Sequence, residues 1–104
     1  HSVVTVGAAM LESINRINAD LFFMGVTGVH PAAGLTTGNF EEATVKRALA
    51  GRAAETVVLA SAEKLNSASA FAIGDLSLAS TLVVETQPDE ALRQALSQQG
   101  VTVI

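Results

Sequence analysis

Short apolar runs alternate along this chain with stretches in which apolar residues recur every three or four positions. Uncharged runs of four or five residues are typical of buried strands, whereas the longer period is typical of amphipathic helices. The predicted strands are Val3–Val6, Leu21–Gly25, Thr56–Ala60, Ala70–Ile73, Thr81–Val84 and Val101–Ile104. Uncharged strands alternating with helices predict an α/β fold: a mostly parallel sheet flanked by helices, with right-handed crossovers.

The periodic stretches predict three helices. The first spans residues 7–18. The second begins after Asn39, a predicted N-cap with Glu42 as its capping-box partner, and the third has Pro88 in its first turn and stops at Gly100. A turn or a brief helix is predicted at Asp75–Ala79. The apolar stripes of the three helices are Ala8, Leu11, Ile14 and Ile17; Val45, Ala48, Leu49 and Ala53; and Leu92, Ala95 and Leu96.

The segment between the second predicted strand and the second helix is rich in glycine. We expect Leu21–Met24 to be core, and Gly25, Gly28, Gly34 and Gly38 to punctuate a long loop after it. Glycines after a buried strand let backbone N–H groups approach a small anion closely. Since long irregular loops in compact domains are commonly functional, this segment is the first candidate for a binding site.

Composition narrows the class of protein. The chain has 104 residues, 49% of them apolar, which suffices for one domain with a core. A net charge of −4 and only four aromatic residues, all Phe, argue against nucleic-acid binding by this chain itself. The absence of cysteine excludes disulfides and thiolate metal sites. No apolar run reaches the length of a membrane span, so we expect a soluble cytoplasmic protein without a membrane partner.

Polar residues follow several of the predicted strands. In parallel α/β sheets, ligands bind beyond the carboxyl ends of the strands, which is where these residues are expected to lie. Besides the glycine loop, these are residues 61–64 and Glu85 with Thr86. Lys64 is the one amine that the sequence places at such an end, and it is the natural partner of a phosphate or carboxylate. Lys46 and Arg47 are interpreted as a solvated helix face. No metal ligand set and no cofactor motif is evident.

A specific pattern begins at Asp20 and ends at Gly28, D-x-x-F-x-G-x-x-G. It resembles the effector domain of DeoR-type bacterial transcriptional regulators. The similarity continues at Gly34-Leu35-Thr36 and Asn39, then at Glu42-Ala43 and residues 45–48, and later at Leu59-Ala60, Lys64, residues 82–84 and residues 100–104. It covers nearly the whole chain from about Val3.

The resemblance implies a fold like those of ribose-5-phosphate isomerase and glucosamine-6-phosphate deaminase, used to bind a phosphorylated sugar as the effector of a repressor. It assigns Lys64 as a ligand-facing residue. It also assigns an effector loop that consists of Gly25, Gly28, Gly34, Leu35 and Thr36. The family commonly has D-S-S-K where this chain has residues 61–64, S-A-E-K, and T-D where it has Glu85-Thr86.

The resemblance further implies that residues 1–104 are a single partial effector-binding domain. The helix-turn-helix and the first part of the effector domain are expected to be absent, so operator DNA would be bound only through that absent N-terminal domain. We also expect a homo-oligomer.

Two alternatives stay open: a fragment of a sugar-phosphate isomerase or deaminase, and an oligomerisation domain without a ligand. The enzyme is disfavoured because enolisation needs a positioned base, and no Asp or Glu lies between Leu21 and Phe40. Only His30 could act inside the glycine loop, and Glu63 and Glu85 fall outside it. No catalytic residue is therefore predicted.

Overall fold

The computed structural model describes residues 7–104. In that range the helices are α1 (Ala8–Ile14), α2 (Phe40–Ala50) and α3 (Glu90–Gln98). The strands are β1 (Ala19–Gly25), β2 (Gly28–His30), β3 (Gly34–Thr37), β4 (Ala53–Leu59), β5 (Phe71–Gly74), β6 (Thr81–Val83) and β7 (Thr102–Val103). Two single 3-10 turns lie at Ala62–Lys64 and Leu76–Leu78. The predicted strand Val3–Val6 lies outside the described residues.

Within residues 7–104, four strands form a wholly parallel sheet in the order β1-β4-β6-β7. Each neighbouring pair is joined through a crossover, which parallel strands require. α2 lies in the connection from β1 to β4, and α3 lies in the connection from β6 to β7. The prediction of an α/β fold with a mostly parallel sheet is confirmed.

The core lies on one face of this sheet. Met24 pairs with Val58 and Val58 with Leu82, so the three side chains form a row across β1, β4 and β6. That row is buried in one cluster with Leu92 and Leu96, which confirms the apolar stripe of α3. Burying side chains of this size is the main source of stability for such a small domain.

The alternate residues of β1 point away from that core. Leu21 and Phe23 are exposed, the latter by 60%, and Leu59 of β4 is exposed beside them. The prediction that Leu21–Met24 is core is therefore wrong for two of its four residues. Successive strand residues face opposite sides of a sheet, and the core cluster that includes residues of α2, α3 and the hairpin lies on the Met24 side.

The glycine-rich segment is not an irregular loop. β2 and β3 form an antiparallel hairpin, and β5 pairs with β3, giving a second, three-strand sheet within the described part of the chain. Val29, Leu35 and Ile73 are fully buried in the same core cluster. The predicted loop is thus replaced by a hairpin because its apolar side chains close one side of the core.

The ends of α1 and α2 differ from the prediction in three places. α1 ends at Ile14, which is buried, and leaves Ile17 exposed beyond it. Asn39 does cap α2, since its Oδ1 accepts a hydrogen bond from Glu42 N at 2.9 Å. The carboxylate of Glu42 instead accepts from the Thr37 hydroxyl at 2.8 Å, so the predicted capping box is only half formed. Ala53 begins β4 and does not extend the stripe of α2.

The last helix starts later than predicted. Asp89 is its N-cap, with Oδ1 accepting from Leu92 N at 3.0 Å, so α3 begins at Glu90 and Pro88 precedes it. The prediction that Pro88 lies in the first turn is wrong, because the carboxylate of Asp89, and not the proline ring, caps the first turn of the helix. Gly100 follows the helix with φ of +77°, a left-handed conformation that suits glycine and stops the helix as expected.

Candidate ligand-binding site

An open cleft of about 370 Å³ lies at the carboxyl ends of β4 and β6. It is lined by Leu59, Ala60, Ser61, Val83, Val84 and Glu85. β4 and β6 are neighbours in the sheet, so the two chain segments that follow them meet there. The expectation that Ser61 and Glu85 lie at one edge agrees with this geometry. The volume falls within the range of pockets that hold small molecules.

The segment after β4 is anchored to the hairpin. Residues 62–64 form a 3-10 turn in which Lys64 N donates to Ser61 O at 2.9 Å. Asn66, with φ of +63°, then donates its N–H to Val29 O at 2.7 Å. A non-glycine residue in this left-handed region is uncommon, and asparagine tolerates it better than most. The turn is therefore held in place against β2 as well as β4.

Lys64 is half-buried on this turn. In the part of the chain that the structure describes, no carboxylate oxygen lies within 4.0 Å of its ammonium. An ammonium group carries three donors and no acceptor, so its hydrogen-bonding capacity is open to an anion. Lys64 is not among the residues that line the cleft, and its role as a ligand-facing residue stays a prediction.

Glu63 is an exposed carboxylate beside Lys64. The Ser61 hydroxyl donates to Glu63 Oε1 and lowers the pKa of this carboxyl below its usual value. A hydrogen bond from its own backbone N–H adds to the effect, desolvation opposes it, and the charge of Lys64 makes the smallest contribution to the lowering. The group thus remains ionised at neutral pH, and its favourable contribution is lost as pH falls through its folded pKa.

We expect Ser61→Ala to raise the pKa of Glu63 toward the ordinary glutamate value, because the largest stabilising contact of the carboxylate is removed. The measurement is an NMR titration of the Glu63 side-chain carboxyl carbon in both proteins. Glu55, an exposed glutamate of β4, serves as the internal reference. Equal Glu63 titration curves in both proteins would contradict the assigned hydrogen bond.

Two of the predicted effector-loop residues lie in close contact inside the hairpin. A Cβ placed on Gly28 would lie 2.3 Å from Thr36 Oγ1 and 2.4 Å from Ser67 O, so only glycine fits there. Thr36 is buried, and its hydroxyl accepts a hydrogen bond from Ser69 N at 2.8 Å. The pair joins β2, β3 and the segment after β4.

The other predicted loop residues divide between the hairpin and the sheet edge. Gly34, with φ of +77°, and Leu35, which is fully buried, begin β3. Gly25 is the exposed last residue of β1, and a Cβ there would meet nothing within 4 Å. None of the six predicted ligand-binding residues lines the cleft: Gly25 ends β1, Lys64 ends the turn after β4, and the other four build the hairpin. A ligand contact for each remains a prediction.

The sequence interpretation missed the role of two cations on α2. Lys46 Nζ donates to Gly25 O at 2.6 Å, and Arg47 donates to the carbonyl oxygens of Ile73 and Ala72 at 2.6 and 2.8 Å. Arg47 is exposed, as a solvated helix face predicts, but Lys46 is partly buried and both side chains are held by backbone carbonyls. Lys64 is therefore not the one amine at a strand end. α2 runs back along β1 with its side chains tilted toward its N-terminus, which carries Lys46 to the carboxyl edge.

Few catalytic options exist among the described residues. His30 Nδ1 accepts from Ala32 N at 3.0 Å and Ala33 N at 3.1 Å, so this ring nitrogen is committed to the hairpin turn. Residues 7–104 contain no group of three His, Asp or Glu side chains placed to hold a metal ion. Within that same range, no helix is long and apolar enough to cross a membrane.

Comparison with known proteins places these features in a family. Residues 1–86 match the family described as the DeoR C-terminal sensor domain. The chain is 30% identical over 99 residues to the HTH-type transcriptional regulator GlpR of Haloferax volcanii, covering 95% of this chain and 39% of that protein. It is 26% identical over 98 residues to the HTH-type transcriptional repressor GlcR of Bacillus subtilis, covering 94% of this chain and 38% of GlcR.

A third relative is the HTH-type transcriptional regulator FruR of Bacillus subtilis, 38% identical over 79 residues, which are 73% of this chain and 32% of FruR. The chain thus spans less than two fifths of the length of each of these relatives. The relatives are transcriptional regulators and not enzymes, as expected from the sequence. With 86 of its 104 residues matching the family, the chain belongs to the DeoR C-terminal sensor domains.

Proposed function

We propose that this domain binds a phosphorylated sugar as the effector of a transcriptional repressor, and that the ligand lies at the carboxyl edge of the parallel sheet. The observation that carries the proposal is the open cleft between the ends of β4 and β6 in a chain of the sensor family. Ligands of parallel α/β sheets bind at this edge because strand ends and following loops converge there.

The polar groups in and near the cleft can bind both the phosphate and the sugar hydroxyls of such a ligand. Lys64 offers donors to a phosphate, and ammonium–phosphate hydrogen bonds are stronger than those between neutral groups. Ser61 and Glu85 line the cleft: the serine hydroxyl can donate to or accept from a sugar hydroxyl, and the carboxylate can accept from one. In this proposal, Gly28, Gly34, Leu35 and Thr36 act by holding the hairpin beside the cleft, and Gly25 keeps the end of β1 open.

The sensor acts on DNA indirectly. The relatives are HTH-type regulators, and we propose that a helix-turn-helix outside this chain binds the operator in a homo-oligomeric repressor. The effector needs only a different affinity for the DNA-binding and the released state to shift the balance between them.

A thermal shift assay tests the proposal. The panel contains inorganic phosphate, glucose 6-phosphate, fructose 6-phosphate, fructose 1-phosphate, ribose 5-phosphate and glucosamine 6-phosphate, each with its unphosphorylated sugar as control. We expect at least one sugar phosphate to raise the melting temperature while its own sugar does not, since a ligand of the native state stabilises it by mass action. A flat response would favour a ligand-free oligomerisation domain, and turnover of a panel member would show an enzyme.

A further inference from the structure

Lys46 places a second ammonium at the carboxyl edge of the sheet. It donates to Gly25 O at 2.6 Å, and Gly25 is the last residue of β1. Gly25 pairs with Leu59, which lines the cleft. The carbonyl that holds Lys46 is therefore one strand spacing, about 5 Å, from the residues of the proposed site.

This ammonium has donors to spare. It forms an i,i+4 ion pair with Glu42, whose Oε2 lies 3.6 Å away and therefore accepts no hydrogen bond from it. That oxygen already accepts the Thr37 hydroxyl at 2.8 Å. Among residues 7–104, Gly25 O is the one hydrogen-bond acceptor of Lys46, so two of its three donors are uncommitted.

The surroundings of Gly25 leave room for a ligand. The residue is exposed, and a Cβ built on it would have no atom within 4 Å. The Lys46 side chain is 23% exposed, so its stem is held by the protein while its charged end stays within reach of solvent. A lysine fixed in this way loses less conformational entropy when it binds an anion than a free surface lysine would.

We propose that Lys46 is a second anion-binding residue of the sensor site, whose ammonium contacts the phosphate of the effector at the carboxyl end of β1, in addition to Lys64 at the end of β4. The inference rests on the proposed function and extends the site to α2.

The test compares Lys46→Met with Lys46→Arg in titrations of inorganic phosphate and of each sugar phosphate in the panel, followed by the melting temperature and by amide NMR shifts. Arg16→Met is the matched control, because it removes one positive charge from an exposed side chain of the turn after α1. We expect Lys46→Met to weaken binding about tenfold, as for loss of one charged hydrogen bond. Lys46→Arg should retain most of the affinity, and Arg16→Met should change it little.

The outcomes separate the two proposals. If Lys46→Met keeps its affinity while Lys64→Ala loses it, Lys46 is not a ligand residue and the sensor function stands. If the unaltered protein binds none of the probes, both proposals fail. A Lys46→Met protein with a native amide spectrum and an affinity equal to that of Arg16→Met also overturns the role of Lys46. The spectrum matters because loss of the Gly25 contact could disturb β1 without any ligand being involved.

Discussion

Replacing Gly28 by alanine is expected to destabilise the protein by about 3 kcal/mol, as for an overpacked core position. The new methyl group would lie 2.4 Å from Ser67 O, a backbone atom, and 2.3 Å from Thr36 Oγ1. Relief requires the hairpin to move away from the segment after β4, which breaks the hydrogen bond from Ser69 N to Thr36 Oγ1. Urea unfolding monitored by circular dichroism measures the change.

Gly38→Ala is the matched control for this substitution. Gly38 follows β3 directly, and a Cβ built there would meet nothing within 4 Å. We expect its free energy of unfolding to change by less than about 1 kcal/mol, with a small gain because alanine restricts the unfolded chain more than glycine does. An unfolding midpoint for Gly28→Ala equal to that of Gly38→Ala would contradict the close packing of Gly28 against Thr36.

Lys64→Ala is expected to weaken binding of the phosphorylated effector by about 10- to 100-fold, the loss that follows removal of a charged hydrogen bond of about 1.5–3 kcal/mol. Folding should be little affected, because the contacts that hold the turn are made by backbone groups: Lys64 N to Ser61 O and Asn66 N to Val29 O. Calorimetric titration with the most stabilising sugar phosphate of the panel gives the affinity, and thermal unfolding without ligand gives the stability.

Arg16→Ala is the charge control for this variant, since Arg16 pairs with Glu12 on an exposed surface of the chain. If Lys64→Ala and Arg16→Ala bind the sugar phosphate with equal affinity, Lys64 does not contact the ligand. A rise in the pKa of Glu63 should accompany Lys64→Ala in any case, because the charge of Lys64 contributes to the lowering of that pKa.

The features that the sequence predicts correctly are local ones. The strands of the parallel sheet stand out as uncharged runs, and Asn39 caps α2 through a contact three residues away. The exposure of Leu21 and Phe23 could not be predicted, because all four residues of Leu21–Met24 are apolar and the pattern does not show which side is covered. Their exposure follows from the side on which the helices pack.

The β2–β3 hairpin and the position of the Lys46 ammonium depend on contacts between residues that are far apart in the sequence. β2 and β3 have only three and four residues, and β3 is completed by pairing with β5, as at Thr36 and Ala72. Lys46 reaches Gly25 because α2 returns along β1. The order of apolar and polar residues along the chain does not show how a helix lies against a strand. The edge that carries Ser61 and Glu85 was predictable because it follows from the parallel topology alone.

The parallel sheet also has a consequence for the rate at which this chain folds. Ala19 pairs with Ala53, Val57 with Thr81 and Thr81 with Thr102, so every ladder of that sheet closes a long segment of chain. Among the strands of residues 7–104, only β2 and β3 pair as neighbours along the chain, and such hairpins form in about 1–10 μs. Chains dominated by distant pairings reach the native state in milliseconds to seconds, so the nascent protein would expose its apolar strands for far longer than the hairpin takes to form.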